Sequence, residues 1–429
     1  MCGIVGYIGE KPAAPIILEG LSRLEYRGYD SAGIAVFNGD DICCKKSIGR
    51  LKVLENLTRG GQDMPGFCGI GHTRWATHGA PSNENAHPHF NQKETISVVH
   101  NGIIENYLQL KKFLEKKGYV FVSETDTEVL AHLLDYYYKG NPMEAVFRVL
   151  RRVEGSYALG ILFAEHPDTL FAARKDSPLI VGQNEEGCFI ASDVPAILKH
   201  TRHVTYVDNQ EIVKLHASHM HFYNIDEEEI QKESVLIDWD ADAAEKAGYE
   251  HFMLKEMYEQ PKTITDTISP RIQKGGIHIE ELHMSDEQMA AVRKIHIVAC
   301  GSAYHAGVTG KYVIERLARI SVEVDLASEF RYRDPILEEG AMVVVISQSG
   351  ETADTLAALR EAKKRGFQIL GIVNVVGSSI AREADNVMYT WAGPEIAVAT
   401  TKAYSAQLVA LYLLAIRLAE AKKTIGNTE

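Results

Sequence analysis

A regular alternation of strand-like and helical segments, beginning near Val292, restricts the fold more than any other feature of the sequence. The strand-like runs KIHIVA, VEVDLA, MVVVIS, QILGIV and NVMYT are separated by helical segments such as ETADTLAALREAKKRG. This alternation is typical of parallel βαβ units, in which helices cover both faces of a parallel sheet. We therefore predict an α/β domain over 291–429, whose last element is the long amphipathic helix TKAYSAQLVALYLLAIRLAEAKK.

The first half of the chain has a different pattern. Short apolar or alternating runs such as CGIVGYI, TISVVH and SYALGILF fill residues 2–236, and the helical stretches APIILEGLSRLEYRG, ENYLQLKKFLEKKG and TDTEVLAHLLDYYYKG interrupt them. Many strands with a few helices predict a layered α+β domain. We interpret residues 237–290 as a linker with a helix pair, and we expect its first helix to stop at Pro261.

Composition and charge exclude several classes of function. A length of 429 residues predicts more than one domain. The net charge of -13 and the scattered basic residues argue against nucleic acid as a partner. The six cysteines show neither CxxC nor metal-ligand spacing, which favours reduced cytoplasmic thiols and no metal site. The apolar segment QLVALYLLAI is about half the ~20 residues of a membrane span, so we expect no membrane partner and a cytoplasmic protein.

Cys2 directly follows the initiator Met1. Removal of Met1, expected because cysteine is small, would leave a thiol and a free α-amine on one residue. An α-amine has a pKa of about 7.7 to 8.0, so it can act as a base for its own thiol. Taken alone, Cys2 is explained better as a small buried apolar residue.

Three polar motifs supply groups that a nucleophilic cysteine could use. Arg74 in GHTRWATHG can hold a carboxylate through a bidentate pair. Asn101 and Gly102 in VVHNGIIEN offer an amide and a glycine N–H to an oxyanion, although Asn-Gly is also a common tight turn. Asp126 in SETDTE stands at a helix start, where an N-cap role is the simpler explanation.

Two further turns follow predicted strands of the second domain. MVVVISQSGETADT is a strand, a hydroxyl- and glycine-rich turn, and a helix starting near Glu351, which suits a phosphate. Neither GxxxxGK[ST] nor GxGxxG is present, so a nucleotide is not favoured. VACGSAYHAG forms a comparable turn after the first strand. Ligands of open parallel sheets bind at such strand ends, whereas helix capping alone would explain just one of Ser347, Ser349 and Thr352.

MCGIVG, LEYRGYDSAG, HTRWATHG, NAHPH, VVHNGIIEN and SETDTE together resemble the glutaminase domain of N-terminal-nucleophile amidotransferases. LEYRGYDSAG and SETDTE in this combination most resemble the glutamine–fructose-6-phosphate aminotransferase family. The resemblance implies an αββα fold in which Cys2 attacks the glutamine amide and its α-amine acts as base, then acid. It also implies that Asn101 and Gly102 form the oxyanion hole. Arg74 would hold the substrate carboxylate, Asp126 would hold the ammonium, and Trp75 would gate the passage of ammonia.

The later turns resemble the sugar isomerase (SIS) domain, a flavodoxin-like αβα sandwich that binds phosphosugars. The resemblance implies that the sugar phosphate is held or bordered by Ser302, Ser347, Gln348, Ser349, Thr352, Val398 and Thr400. Position 303 is Ala303 where the family commonly has serine, so one sugar contact is missing. The family carries two SIS domains and these residues account for one, so Lys402 is not given a role in isomerisation. We expect glutaminase activity, with little or no synthase activity, from the 429 residues alone.

The family resemblance implies transfer of nitrogen from glutamine to fructose 6-phosphate, which yields glucosamine 6-phosphate and glutamate. It implies no organic cofactor or metal, and a homodimer. Two alternatives stay open. One is another amidotransferase, for example with a phosphoribosyl acceptor, although the acidic diphosphate-binding motif of that acceptor domain is not found. The other is a phosphosugar-binding or sensing module.

Overall fold

The structure is a computed structural model that describes residues 2–25, 28–76, 78–237, 248–273 and 276–425. The chain divides into two compact units, Met1–Ala241 and Asp242–Glu429. The domain bounds 2–236 and 291–429 stay predictions, because this division alone does not decide them.

The first unit consists mainly of short strands. In chain order the described strands are β1 (Gly3–Gly9), β2 (Ser31–Phe37), β3 (Ile42–Ile48), β4 (Cys68–Arg74), β5 (His89–Phe90), β6 (Ile96–Ile104), β7 (Gly155–Phe163), β8 (Leu170–Lys175), β9 (Ile180–Asn184), β10 (Gly187–Ala191), β11 (His203–Tyr206), β12 (Glu211–Leu215), β13 (Met220–Tyr223), β14 (Glu229–Ile230) and β15 (Val235–Leu236). The described α-helices are α1 (Ala13–Ser22), α2 (Leu51–Leu57), α3 (Tyr107–Glu115), α4 (Glu128–Tyr137) and α5 (Pro142–Leu150).

These strands form two antiparallel sheets. Within the described residues, one sheet has the order β15-β11-β9-β10-β1-β4-β2-β3 and the other β14-β13-β12-β8-β7-β6-β5. Successive side chains of a strand point to opposite faces. In β1, Ile4 and Ile8 therefore join the core between the sheets, whereas Val5 and Tyr7 join the core under the helices. The first strand thus lies inside its sheet and is buried on both faces.

Helices cover the outer face of each sheet. Helix α1 lies on the sheet that contains β1, and α4 and α5 lie on the sheet that contains β6. Glycines in β4 allow α1 to approach closely, because a Cβ at Gly71 would stand 2.4 Å from Ile17 Cγ2. The unit has helix, sheet, sheet and helix layers, so the expected αββα sandwich is confirmed.

The second unit is built around a parallel sheet. Its described elements are α6 (Phe252–Ile268), β16 (Ile272–Gln273), β17 (Gly276–Ile277), α7 (Asp286–Ala291), β18 (Lys294–Ala299), α8 (Gly301–Leu317), β19 (Ser321–Leu326), α9 (Ala327–Tyr332), β20 (Ala341–Ser347), α10 (Ala353–Lys364), β21 (Gln368–Val373), α11 (Ser379–Glu383), β22 (Asn386–Tyr389) and α12 (Lys402–Lys422). The parallel sheet has the order β19-β18-β20-β21-β22. Counted along the chain this order is 2-1-3-4-5, that of the flavodoxin-like folds.

Alternate residues of this sheet enter two separate cores. Ile295 and Ile297 of β18 face the core formed with α8 and α12, whereas Val298 faces the core formed with α9, α10 and α11. Helices thus cover both faces of the sheet. The predicted αβα sandwich is confirmed, and so is its origin in alternating strands and helices.

The expectation that the helix of residues 252–268 stops at Pro261 is wrong. Helix α6 continues through Pro261 to Ile268. A proline removes the N–H that would bind the carbonyl four residues earlier, here that of Met257. The side-chain amide of Gln260 donates to that carbonyl instead, at 3.1 Å. The lost backbone bond is therefore replaced locally, and the helix continues.

The segment 237–290, expected to be a linker, contributes to the second unit where it is described. Helix α6 packs against α12. Residues 238–247 and 274–275 of this segment lie outside the described residues. The described part of the segment therefore belongs to the folded second unit, and it holds loop residues of that unit in place.

Two helices of the first unit, α2 and α5, were absent from the sequence interpretation, and α1 ends at Ser22 rather than near Gly28. For α5 the signal was present, because Asn141 caps the backbone N–H of Glu144 at 3.4 Å and Pro142 occupies the first turn. Asparagine followed by proline is a typical helix start.

Helix α12 extends well beyond the QLVALYLLAI segment. With 21 residues it is long and apolar enough to cross a membrane by length and composition alone. However, 56% of its apolar window is buried inside the protein, and it packs against α6, α7 and α8. This packing is that of a core helix.

Candidate active site

Cys2 directly precedes the central strand β1. Its neighbour Gly3 pairs with Thr73 of β4, which places the thiol beside the residue that follows β4. The N–H of Trp75 donates to Cys2 Sγ at 3.2 Å, and Sγ lies 3.5 Å from the Trp75 carbonyl oxygen. Burial raises the pKa of the Cys2 thiol, and the Trp75 hydrogen bond offsets this in part. The thiol is therefore protonated at neutral pH and needs a base to react.

Asn101 and Gly102 lie within strand β6, so the alternative of a tight turn is wrong. Asn101 Nδ2 donates to the carbonyl oxygen of Cys2 at 3.0 Å, and Asn101 Oδ1 lies 2.9 Å from His72 Nε2. Because β6 and β1 belong to different sheets, this amide joins the two layers. The structure thus brings a thiol and an amide donor together from positions 2 and 101.

Gly102 has a backbone conformation that other residues rarely adopt. Its φ is 133°, and a Cβ there would stand 2.1 Å from the carbonyl oxygen of Ser156. Glycine is therefore required for two separate reasons, the positive φ and the lack of space.

Arg74 is buried at the end of β4. Its Nη2 donates to the carbonyl oxygens of His78 and Gly79, the latter at 3.0 Å. Its Nη1 is also buried and has no hydrogen-bond partner within the described part of the chain. A buried guanidinium nitrogen without a partner is costly, so a carboxylate at this position would satisfy it.

Asp126 is buried close to the same loop, and it is not the N-cap of α4, because that position belongs to Thr127. Its Oδ2 accepts the N–H of Ile104 at 2.8 Å, and its Oδ1 lies 4.0 Å from His78 Nδ1. Arg74 thus contacts the backbone of His78, and Asp126 lies near its ring. The structure brings together one buried cation and one buried anion near the end of β6.

The indole of Trp75 is partly exposed and packs edge-on against Tyr29, with ring centroids 5.2 Å apart. The next residue, Ala76, donates its N–H to the carboxylate of Asp30. Sequence reasoning missed Asp30, although it lies in the LEYRGYDSAG motif, because a carboxylate followed by serine also suits a surface turn. Residues 26–27 of that motif lie outside the described part of the chain.

The hydroxyl-rich turn of the second unit forms a local hydrogen-bonded cluster. Ser347 Oγ accepts the N–H of Gly350 at 3.0 Å and lies 2.8 Å from Thr352 Oγ1, and Ser349 Oγ accepts the N–H of Glu351 at 3.2 Å. Helix α10 begins at Ala353, later than expected, and Thr352 precedes it without capping it through its side chain. Helix capping therefore does not explain these hydroxyls, and the start of α10 can accept an anion.

The two predicted phosphosugar turns lie at the same edge of the parallel sheet. Ser302 follows β18, Ser347 ends β20, and these strands are parallel neighbours. The chain leaves β18 for β19 on one side and returns to β20 on the other, so this is the point where the strand order reverses. Open α/β sheets bind ligands at such a point. Ser302 is exposed there, whereas Ala303 packs into the apolar core.

Val398 and Thr400 lie in a separate loop before α12. Val398 is exposed, and Thr400 Oγ1 donates to Glu395 Oε2 at 2.7 Å. Glu256 of α6, which is 2% exposed, accepts the N–H groups of Ile396 at 2.6 Å and Ala397 at 3.1 Å. The two carboxylates thus fix the loop, and sequence reasoning missed both.

Asn374 links this loop region to the hydroxyl-rich turn. Its N–H donates to the carbonyl oxygen of Gln348 at 3.1 Å, and its Nδ2 donates to the carbonyl oxygen of Gly393 at 2.7 Å. The carboxyl end of β21 thereby joins two segments that the sequence placed in one site. Among the described residues, no group of three or more His, Cys, Asp or Glu side chains is arranged to hold a metal ion.

Comparison with protein-family models identifies two regions. Residues 72–199 match the glutamine amidotransferase domain, and residues 288–417 match the SIS domain. Among solved structures, the C-terminal domain of glucosamine-fructose-6-phosphate aminotransferase from Francisella tularensis covers 43% of this chain and 52% of that chain, with 44% identity and a TM-score of 0.41. A glutamine phosphoribosylpyrophosphate amidotransferase from B. subtilis covers 91% of this chain and 90% of that chain, with 18% identity and a TM-score of 0.47.

Curated relatives match the chain over its full length. Glutamine–fructose-6-phosphate aminotransferase (isomerizing) from Clostridium tetani is 59% identical over 100% of this chain and 71% of the relative. The protein of the same name from Thermus thermophilus is 47% identical over 100% of this chain and 70% of the relative. With this identity and coverage, the chain belongs to the glutamine–fructose-6-phosphate aminotransferase (isomerizing) family.

Proposed function

We propose that the protein transfers the amide nitrogen of glutamine to fructose 6-phosphate, and so forms glucosamine 6-phosphate and glutamate. The observation that carries this proposal is that two donors converge on Cys2, because its Sγ accepts the Trp75 N–H and its carbonyl oxygen accepts the Asn101 side-chain amide. Family membership supports it, because relatives that share the full chain bear the name of this reaction. The sensing-module alternative is not favoured, since it gives the thiol and its partners no purpose.

The first half-reaction is the hydrolysis of glutamine at Cys2. After removal of Met1, the α-amine of Cys2 takes the thiol proton, and Sγ attacks the side-chain amide carbon. The tetrahedral oxyanion accepts hydrogen bonds from Asn101 Nδ2 and the Gly102 N–H. The ammonium form of the α-amine gives its proton to the departing ammonia, which leaves a thioester. Water then cleaves the thioester, which releases glutamate and restores the thiol.

Glutamine recognition is assigned to Arg74 and Asp126. Free glutamine carries one carboxylate and one ammonium, and the site offers one buried cation and one buried anion. We assign the substrate carboxylate to Arg74 Nη1, which has no hydrogen-bond partner among the described residues. Asp126 Oδ1 is the group for the ammonium, since Oδ2 is bound to the Ile104 N–H. Trp75 is assigned to the passage of ammonia out of this site.

The second half-reaction takes place on the phosphosugar in the second unit. We assign the phosphate to the turn of Ser347, Ser349 and Thr352 at the start of α10, with Ser302 and Gln348 beside it and Val398 and Thr400 at its border. Ammonia replaces a carbonyl oxygen of the sugar, and water leaves. Since glutamine hydrolysis consumed one water, the sum is glutamine plus fructose 6-phosphate giving glutamate plus glucosamine 6-phosphate.

We further propose that the protein acts as a homodimer in the cytoplasm. Large apolar side chains of the second unit are exposed, among them Tyr312 at 67%, Tyr332 at 77% and Ile336 at 87%. Side chains of this kind mark an interaction surface where they form one contiguous patch, and the family resemblance implies a homodimer. Sedimentation at micromolar concentration would give twice the mass of the chain, and a monomer would overturn this part of the proposal.

The glutamine half of the proposal is tested by the release of ammonia from glutamine, with and without fructose 6-phosphate, and the transfer half by the formation of glucosamine 6-phosphate, which is expected to be slow or undetectable with these 429 residues alone. A chain freed of Met1 should release ammonia, and a chain that retains Met1 should be slower by about 10²-fold or more, because its Cys2 has no free α-amine. Mass spectrometry of the N-terminus establishes which form is assayed. Equal rates for the two forms would contradict the role of the α-amine, and no release by the trimmed chain would favour a sensing module.

A further inference from the structure

The motifs of the first unit contain four buried histidines that the mechanism above does not use. They are His72, His87, His89 and His100, whose exposed fractions are 0%, 6%, 2% and 3%, respectively. The ring centroids of His72 and His87 are 4.1 Å apart, and those of His87 and His89 are 4.7 Å apart. Burial lowers the pKa of all four, that of His72 to about 3. Each imidazole is therefore neutral, with one N–H donor and one acceptor nitrogen.

The proton of His72 can be placed from its neighbours. Asn101 Nδ2 donates to the Cys2 carbonyl, so Asn101 Oδ1 is the atom that faces His72. An amide oxygen only accepts hydrogen bonds, so the contact of 2.9 Å requires the proton on His72 Nε2. Nδ1 is then bare, and it is buried without a partner within the described residues. His72 is thus a donor aimed at one atom of Asn101.

The same reasoning places the protons of the next layer. His100 Nε2 lies 3.3 Å from the Ser156 carbonyl oxygen, so Nε2 is protonated and Nδ1 is bare. The hydroxyl of Thr127 therefore donates to His100 Nδ1 at 2.9 Å, and its oxygen accepts from His87 Nε2 at 3.0 Å. His87 Nδ1 is bare and has no partner in the described part of the chain. The hydrogen bonds made by His87, Thr127 and His100 therefore each have a defined donor and acceptor. They fix the ring of His87, which lies against that of His72.

We propose that His72 is a positioning residue of the glutaminase site, and that its Nε2–H keeps the side-chain amide of Asn101 turned with Nδ2 toward Cys2. The inference rests on the proposed function, in which that Nδ2 stabilises the oxyanion. The two ends of an amide have similar sizes, so packing alone selects its orientation weakly. A reversed Asn101 would present its oxygen to the oxyanion and its NH2 to the N–H of His72. Both contacts are repulsive, as is the contact of the reversed amide oxygen with the Cys2 carbonyl oxygen, so His72 adds to the preference that Cys2 already gives the productive orientation.

The test is a double-mutant cycle between His72 and Asn101 on the Met1-trimmed chain. His72→Phe keeps the ring and removes the donor, so kcat for glutamine hydrolysis should fall about 10²-fold, the size of a lost oxyanion contact. The KM for glutamine and the rate of Cys2 alkylation by iodoacetamide should change less than about threefold, because neither needs the Asn101 donor. In an Asn101→Ala background, His72→Phe should cost less than about threefold.

Conservative variants separate positioning from a merely structural role. The side-chain NH2 of His72→Gln can reach the place of Nε2, whereas that of His72→Asn falls short, at the place of Nδ1. We expect His72→Gln to regain at least about tenfold in kcat over His72→Asn. Equal kcat values for these two variants would overturn the inference, and this comparison also decides the matter if His72→Phe fails to fold.

The outcomes also separate this inference from the proposed function. If Asn101→Ala keeps the wild-type kcat, the oxyanion role of Asn101 is wrong, and the role of His72 is wrong with it. If Asn101→Ala is defective and His72→Phe lowers kcat by the same factor in both backgrounds, His72 acts independently of Asn101. That result would overturn the positioning role alone and leave the glutaminase mechanism intact.

Discussion

The two sites of the molecule are assembled in opposite ways. The site around Cys2 collects residues from positions 2, 30, 74, 101 and 126, which the two antiparallel sheets bring together. The hydroxyl-rich turn takes its hydrogen-bonded groups from positions 347 to 352, in one strand-to-helix connection. The first site therefore depends on the packing of a whole unit, whereas the hydroxyl-rich turn of the second site depends mainly on a local backbone conformation. Substitutions should reveal this difference.

Apart from loss of the nucleophile itself, the largest effect is expected at Gly102. Gly102→Ala introduces a Cβ that would stand 2.1 Å from the Ser156 carbonyl oxygen, at a φ of 133°. Strand β6 must shift, so kcat for glutamine hydrolysis should fall about 10³-fold. The matched control is Gly118→Ala, at a φ of 92° with nothing within 4 Å of its Cβ. The control should cost about 1 kcal/mol of stability and no activity, and an equal loss of activity in both variants would contradict the argument.

The second effect is a loss of stability at low pH, which arises from buried histidines of the first unit. The pKa of His72 is about 3 in the folded protein, and those of His87 and His89 are also lowered, against a usual 6.5. The unfolded chain binds more protons below pH 6.5, so stability is lost as the pH falls through 6.5. Between pH 7 and 5.5 each such histidine should cost about 1 kcal/mol. Urea unfolding monitored at both pH values measures this loss, and equal midpoints would refute it.

A smaller effect is expected at Arg74, and it falls on substrate binding. Arg74→Lys keeps the charge and loses the planar fork that serves both the loop carbonyls and a carboxylate. The KM for glutamine should rise about 30-fold, with a smaller change in kcat. The affinity for fructose 6-phosphate is the internal control and should stay the same. A fall in kcat without a change in KM would show that Arg74 does not hold the substrate carboxylate.

The smallest effect is expected at the local site. Ser347→Ala removes the acceptor of the Gly350 N–H and the partner of Thr352. Binding of fructose 6-phosphate, measured by calorimetry, should weaken about tenfold, while glutamine hydrolysis without the sugar stays at the wild-type rate. The matched control is Ser405→Ala, whose hydroxyl binds Gln260 of α6. Equal weakening in both variants would indicate a general loss of structure.

The same contrast explains what the sequence could predict. The parallel sheet and the turn at Ser347 could be predicted from the sequence, because both depend on residues close together in the chain. The role of Gly102 within a strand was not, since the Asn-Gly pair is also a common hairpin turn. Glu256 and His72 were missed for a physical reason: their partners, Ile396 and Asn101, lie 140 and 29 residues away. The helix end was predicted wrongly at Pro261 because the hydrogen bond that replaces the lost backbone bond comes from the Gln260 side chain.

The central claim, that the thiol of Cys2 performs the glutamine chemistry, is tested most directly by ammonia release from Cys2→Ala beside a Cys43→Ala control. Cys43 is likewise a half-buried free cysteine of the first unit, on strand β3. Cys2→Ala should lose at least about 10³-fold in glutamine hydrolysis and keep its affinity for fructose 6-phosphate, whereas Cys43→Ala should keep both. Hydrolysis by Cys2→Ala within about tenfold of the wild-type rate would show that another group performs the glutamine chemistry.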